Sequence, residues 1–207
     1  MGRRSGSSGH WRQHQEQDAY VERAVREGWR SRAVYKLEQI HSKEKLLKPG
    51  LACVDLGASP GGWSQFAAKV VAPTGRVWAL DRESMEPIVG VRFICGDFTE
   101  PQTISMLRSA LGGTCIDLVM SDLAPNISGN RAVDQPRAMQ LAEEARDFAS
   151  GVLGDGGDFL VKLFQGEGFE EFISATKLCF KTVRVMKPRA SRPESREVYL
   201  LARAYGM

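Results

Sequence analysis

From residue 52 to the C-terminus, short apolar runs alternate with longer stretches of helical periodicity, and few architectures accommodate that rhythm. Runs at 52–56, 76–80, 91–95, 116–120 and 157–163 read as strands, with helices expected over 63–71, 102–111, 135–153 and 169–180. Two further runs, 182–186 and 198–202, close the chain. Parallel strands need a crossover connection, and a helix supplies it, so the alternation predicts an α/β fold on a mostly parallel sheet. Ahead of the first strand, Val34, Leu37 and Ile40 recur at three-residue steps. They predict an amphipathic helix over 31–46, with Ser31 as its N-cap and Lys48-Pro49-Gly50 as its stop. There is no internal repeat.

A chain of 207 residues can bury one substantial core and is too short for two ordinary domains and a linker. The expected division is a flexible basic arm over 1–20 and a single domain over 21–207. A hydrophobic share of 43% with 26% charged residues excludes a disordered chain. No apolar run approaches the roughly 20 residues that span a bilayer. Arg3, Arg4 and Arg12 are followed by no apolar stretch of the kind a signal peptide carries, so a cytoplasmic protein is expected, without membrane contact. Cys53, Cys95, Cys115 and Cys179 lack the paired spacing of zinc or redox sites. Reduced thiols, three of them buried beside strands, and no metal are the expectation.

The net charge of +3 says less than its distribution. Lys181, Arg184, Lys187, Arg189, Arg192 and Arg196 face a single acid, Glu194, in one stretch, and Arg23, Arg26, Arg30 and Arg32 surround Trp29 in another. Either cluster alone reads as a solvated surface. Together, flanking one core, they suggest a polyanionic partner.

In open α/β sheets ligands bind beyond the carboxyl ends of the strands, where the topology reverses. Asp55, Asp81, Asp97, Asp122 and Lys162 all fall near the ends of expected strands, and five such residues along one edge mark a site. The first strand leads into Asp55-Leu56-Gly57-Ala58-Ser59-Pro60-Gly61-Gly62-Trp63, a glycine loop opening a helix. Its glycines let the backbone approach a ligand closely. The spacing Gly57-x-x-x-Gly61 is not that of dinucleotide binders, and no Gly-Lys-Ser/Thr follows to cradle a triphosphate. A nucleoside without phosphates fits better, with Asp81 accepting from ribose hydroxyls, Asp97 from an adenine amino group, and the Trp63 ring closing the pocket. A positively charged sulfonium suits a carboxylate-lined cleft.

The chain resembles the FtsJ/RrmJ (RlmE) family of ribosomal RNA large-subunit uridine 2′-O-methyltransferases. The resemblance is carried by Ser31-Arg32-Ala33, Val54-Asp55-Leu56-Gly57, Pro60-Gly61-Gly62-Trp63-Ser64-Gln65 and Met120-Ser121-Asp122-Leu123-Ala124-Pro125-Asn126. It continues in Val161-Lys162-Leu163-Phe164-Gln165-Gly166-Glu167-Gly168 and Ser195-Arg196-Glu197-Val198-Tyr199. The family loop often reads Ala-Ala-Pro where this chain has Ala58-Ser59-Pro60. The resemblance implies a Rossmann-like class I methyltransferase with a seven-stranded, mostly parallel sheet, a last antiparallel strand and helices on both faces. It implies S-adenosyl-L-methionine as cofactor, held around Gly57, Gly61, Trp63, Asp81, Asp97 and Asp122. Lys36, Asp122, Lys162 and Glu197 fall on the family's catalytic Lys-Asp-Lys-Glu tetrad. The implied partner is large-subunit rRNA within the assembled large ribosomal subunit, met by a monomer.

Methyl transfer from a sulfonium is an in-line displacement, so the nucleophilic oxygen has to be held against the methyl carbon. Lys162 is the candidate base or orienting group. A lysine is ordinarily protonated near neutrality; neighbouring cations favour its neutral form and carboxylates its charged one, and both roles stay open at this level. Arg189, Ser191, Arg192 and Arg196, with the segment around Trp29, are expected to line the route of the RNA backbone. An amino-methylating enzyme would want an Asp/Asn-Pro-Pro-aromatic loop, which Asp122-Leu123-Ala124-Pro125-Asn126 lacks. The remaining alternatives are the same chemistry on tRNA or another RNA, and a non-catalytic ribosome-assembly factor.

Overall fold

The computed structural model describes residues 19–192 and 194–206. Most of the expected 1–20 arm lies outside them, and its last two residues open a helix, α1 (Ala19–Glu27), which the periodicity reading had not assigned. Then follow α2 (Val34–Glu44), β1 (Ala52–Leu56), α3 (Gly62–Val71), β2 (Arg76–Asp81), β3 (Val91–Cys95), α4 (Pro101–Leu111) and β4 (Ile116–Ser121). The chain closes with α5 (Arg131–Ser150), β5 (Leu153–Phe164), α6 (Phe169–Thr176), β6 (Phe180–Met186) and β7 (Glu197–Tyr205).

The sheet has seven strands in the order β3-β2-β1-β4-β5-β7-β6. Neighbours from β3 to β5 run parallel, and β7 is antiparallel to both β5 and β6. This is the expected Rossmann-like α/β fold. The chain leaves β1 toward β2 and β3, then returns across the sheet to β4. The topological reversal, where such folds bind ligands, therefore lies between β1 and β4.

Residues on successive strand positions face opposite sides, and the two sides carry separate cores. One face packs Leu56, Leu80, Val119, Phe159 and Val161 with α5 residues such as Met139 and Phe148. The other packs Cys53, Val77, Met120, Leu160 and Tyr199 with Leu37 and Ile40 of α2 and Phe66 of α3. α2 is thus fastened to the face that Met120, Leu160 and Tyr199 share.

Several element ends differ from expectation. α2 starts at Val34 without a side-chain cap, and Ser31 lies against Gly62. The bend over 31–33 instead offers its carbonyls to the N–H groups of Val34, Tyr35 and Lys36 three residues on. α5 begins at Arg131 because the Asn130 side chain accepts the Ala132 N–H at 3.1 Å, and the helix continues through Pro136. β5 starts at Leu153, with a register shift before the regular pairing resumes at Asp158. α6 ends at Thr176, four residues early, where residues 177–179 turn into β6. Of the cysteines only Cys53 is buried. Cys95 ends β3, Cys115 immediately precedes β4 and Cys179 lies in the turn before β6, all three exposed.

Candidate active site

The carboxyl ends of β1, β2, β3 and β4 border a cleft of about 420 Å³ whose walls combine Asp81, Asp97 and Asp122 with Leu80, Phe98 and Leu123. Asp81, the last residue of β2, accepts the Ser59 N–H on one oxygen and the Glu83 N–H on the other, each at 2.9 Å. It thereby clamps the glycine loop to the strand. Asp97 follows β3 and accepts both the N–H and the hydroxyl of Thr99, at 2.9 and 2.7 Å. Those bonds hold its carboxyl below the usual carboxylate range.

The glycine loop meets protein more closely than expected. Gly57 has φ +79, and a Cβ there would lie 2.9 Å from the Leu123 nitrogen. Gly61 has φ +110 and would bring a Cβ to 2.7 Å from Ile88. At Gly62 a side chain would overlap Ser31. The glycines are thus required by the segment after β4, the loop after β2 and the α1–α2 connection.

Two expected pocket residues are displaced from the cleft wall. Gly57 lines it, but Gly61 and Trp63 do not. The Trp63 indole is buried on the α2 side, donates to the Ala33 carbonyl at 2.8 Å and packs against Tyr199, so it cannot close the cleft. What Gly61 and Trp63 still offer is backbone at the start of α3, where first-turn N–H groups lack intrahelical acceptors. Asp55 also departs from the edge. It is fully buried beneath the loop, bonded to the Ser64 hydroxyl at 2.6 Å, and burial pushes its carboxyl up to about 7.

Period-two alternation builds the second half of the site. Asp122 continues the face of Met120 and Lys162 that of Leu160, while Glu197 and Tyr199 share one face of β7. Lys162 and Tyr199 are register partners, as are Phe164 and Glu197. Lys162 Nζ lies 3.2 Å from Asp122 Oδ1 and donates to the Asp122 carbonyl at 2.5 Å. From α2, Lys36 Nζ reaches Glu197 at 2.7 Å, and the Ser191 hydroxyl donates to the same carboxylate at 2.8 Å. Lys36, Asp122, Lys162 and Glu197 are therefore brought together. Burial alone would raise the Asp122 carboxyl, but the charges of Lys162 and Lys36 and the Tyr199 hydroxyl hold it below the usual range.

Tyr199 is the site residue that the sequence reading missed as such. Its ring is fully buried, its hydroxyl donates to Asp122 Oδ1 at 2.7 Å, and burial together with the two nearby carboxylates raises its phenol well above the ordinary value. The signal was available, since Tyr199 stands two residues from Glu197 on a strand. Arg82 was also missed; it donates to Asn126 at 2.6 Å and bridges two loops at the cleft.

Several cations expected along an RNA route are committed inward. Arg196 donates to the Gln165 carbonyl at 2.7 Å and to Gln135 at 3.2 Å. Arg30 donates to the carbonyls of Pro60, Glu86 and Pro87, and Arg32 to that of Ala190. Ser191 is buried against Glu197. The segment that carries them is bound by the fold itself, because backbone carbonyls in tight loops need donors. Arg189 is exposed and Arg192 partly so.

The fold has counterparts among known proteins. A crystal structure described as a ribosomal RNA methyltransferase from Plasmodium falciparum superposes with a TM-score of 0.78 at 28% identity, covering 86% of this chain and 98% of that one. The family model described as FtsJ-like methyltransferase matches residues 29–205, a span that begins ahead of α2 and ends in β7 and so contains every element of the site. The chain is a methyltransferase of the FtsJ-like family.

Proposed function

We propose that the protein transfers a methyl group from S-adenosyl-L-methionine to the ribose 2′-hydroxyl of a uridine in large-subunit rRNA, on the assembled large ribosomal subunit. The observation that carries this reading is Asp122. It lines the cleft, and its carboxylate and carbonyl together hold the amine of Lys162.

The cleft fits the cofactor. Its volume lies within the range of small-molecule sites. Three carboxylates suit a cationic ligand, and the apolar walls of Leu80, Phe98 and Leu123 suit a nucleoside. Asp81, already fixed by two N–H bonds, is the acceptor for ribose hydroxyls, and Asp97, kept ionised by Thr99, for an amino group. Gly57 and the backbone of Gly61 and Trp63 complete the holding set. When bound, S-adenosyl-L-methionine supplies a methyl carbon open to in-line displacement.

The chain's own residues then manage the nucleophile. A neutral lysine amine has two N–H donors and one lone pair. The Asp122 carbonyl and Oδ1 take both donors, which leaves the lone pair of Lys162 Nζ for the proton of the 2′-hydroxyl. The proton that the 2′-hydroxyl gives up as its oxygen takes the methyl group would pass to Lys162 Nζ. Tyr199 keeps Asp122 ionised and oriented. Glu197 holds Lys36, whose amine stands over the Tyr199 ring at 5.7 Å.

The test is methyl transfer from isotopically labelled S-adenosyl-L-methionine to large subunits isolated from cells lacking the protein. Label is expected on a single ribose, where the adjacent phosphodiester becomes resistant to alkali. Label on a base, or none on the subunit, refutes the proposal.

A further inference from the structure

With Arg30, Arg32 and Arg196 turned inward, the basic surface that remains lies elsewhere. A second groove, of about 520 Å³, runs between the C-terminal half of α2 and the strand-to-loop corner at the end of β6. Three cations, Lys43, Lys187 and Arg189, line it, and no acid does. Its apolar surface comes from Ile40, Val185 and Met186. Val185 is 42% exposed on β6, the edge strand of the sheet. Lys187 is tied to the Ser195 carbonyl at 2.6 Å, while Lys43 and Arg189 are exposed and make no ion pair among the described residues.

The groove is linked to the site through bonded neighbours. Gln39, one helical turn beyond Lys36, lines it and accepts the Ala190 N–H at 3.1 Å. The next residue, Ser191, donates to Glu197, which holds Lys36. Lys43 lies seven residues past Lys36, on the same side of α2 and about 10 Å further along its axis. A strand whose target ribose sits at Lys162 and Lys36 can therefore leave the site along α2.

We propose that this groove binds the single-stranded RNA next to the methylated nucleotide, its phosphates on Lys43 and Arg189 and the face of a base on Val185 and Met186. Charge complementarity selects the occupant. Three cations without an acid, set beside an apolar floor, match a backbone of phosphates joined to flat bases. Cations on an edge strand also discourage sheet-to-sheet association. The groove's cations are not on that strand, for Lys43 is on α2 and Lys187 and Arg189 follow the end of β6.

The inference rests on the RNA-methyltransferase reading, and its test separates the two. The variants are Lys43→Glu, Arg189→Glu and Val185→Asp, all at exposed positions. The first probe is a fluorescein-labelled single-stranded RNA 12-mer of mixed sequence, titrated at several salt concentrations. Each charge reversal is expected to raise its Kd about tenfold and to make the dependence of log Kd on log salt shallower by about 0.7. Val185→Asp is expected to weaken binding with little change of that slope beyond its own charge. The second readout is the KM for large subunits, which should rise in parallel, while affinity for S-adenosyl-L-methionine by calorimetry stays constant. Kd and salt slope within twofold of wild type in both charge reversals overturn the inference, as does failure of the wild type to bind the 12-mer at low salt. A raised KM for subunits with unchanged 12-mer binding overturns it too, by assigning the groove to a ribosomal protein. If the wild type binds the 12-mer but methylates no ribose, the functional reading fails and the groove stands.

Discussion

Replacing Asp55 by Asn isolates a pH-dependent term in the stability of the fold. Asp55 is fully buried in β1, one oxygen bonded to Ser64 and the other without a partner among the described residues. Burial, reinforced by the charges of Asp122 and Asp81, raises its carboxyl from 3.8 to about 7 despite the Ser64 bond. The folded protein therefore binds a proton that the unfolded chain has released. A group raised in this way contributes its full stability below the unfolded value, and the contribution is lost as pH climbs through the folded one. At about 1.4 kcal/mol per pH unit, roughly three units give a total near 4 kcal/mol, of which about 2 kcal/mol disappears between pH 5 and pH 7. Asn has nearly the same shape, still accepts from Ser64 and cannot ionise. Denaturant unfolding of both proteins at pH 5, 6, 7 and 8 reads the effect as a difference, in which every other titrating group cancels. The variant is expected to gain about 2 kcal/mol on the wild type between pH 5 and 7 and to change little beyond pH 8. Parallel stability curves across that range would show that the carboxyl is ionised throughout, and the burial argument would fail.

Four further outcomes follow from the site. Lys162→Arg keeps the charge but not the ability to lose a proton near neutrality, so single-turnover methyl transfer should fall by roughly 10²-fold or more with cofactor binding intact; near-normal turnover excludes Lys162 as base. Tyr199→Phe removes the hydroxyl bond to Asp122, and because that bond lowers the carboxyl, the acid limb of activity should move upward by about one pH unit, the equivalent of about 1.4 kcal/mol. An unmoved limb in the pH–rate profile detaches Tyr199 from Asp122. Glu197→Gln leaves Lys36 charged in a setting where its side chain is only 15% exposed, and should cost about 3 kcal/mol in denaturant unfolding; a loss under 1 kcal/mol contradicts a buried pair. Gly57→Ala forces a side chain onto the Leu123 backbone at φ +79, so calorimetry should show weaker cofactor binding and a stability loss of at least about 1 kcal/mol, whereas an unchanged protein would mean that the loop yields freely.

The sheet was legible because its signals are local. Each strand core is a short apolar run and the crossovers, apart from the helix-free link from β2 to β3, have helical periodicity, so type and order emerge from windows of ten residues or so. The ends were less legible. Ser31 reads as a cap by its type, yet α2 starts at Val34 without a side-chain cap and Ser31 packs against Gly62, thirty-one residues on. Asn130 caps α5 ahead of Pro136, a residue type that usually ends a helix, and α1 is nine residues long with only Ala24 buried. The carboxylates of the cleft, Asp81, Asp97 and Asp122, were readable from the rule that sites lie beyond strand ends. Asp55 broke that rule because it precedes the strand's last residue and so points into the core.

The arginines expose the deeper limit. Composition marks where positive charge is, but a guanidinium has five donors, and a loop with unpaired carbonyls competes with any phosphate for them. Arg30 and Arg196 illustrate the outcome, each binding carbonyls of segments more than thirty residues away in sequence or joined to it only through the fold. The same logic explains Lys36 and Glu197, which are 161 residues apart and individually ordinary. They acquire a role only because α2 packs on the face that Met120, Leu160 and Tyr199 share. Once that packing is known, strand alternation dictates that Asp122, Lys162 and Glu197 follow on the same side, and the charged end of α2's inner face is the nearest source of a balancing cation.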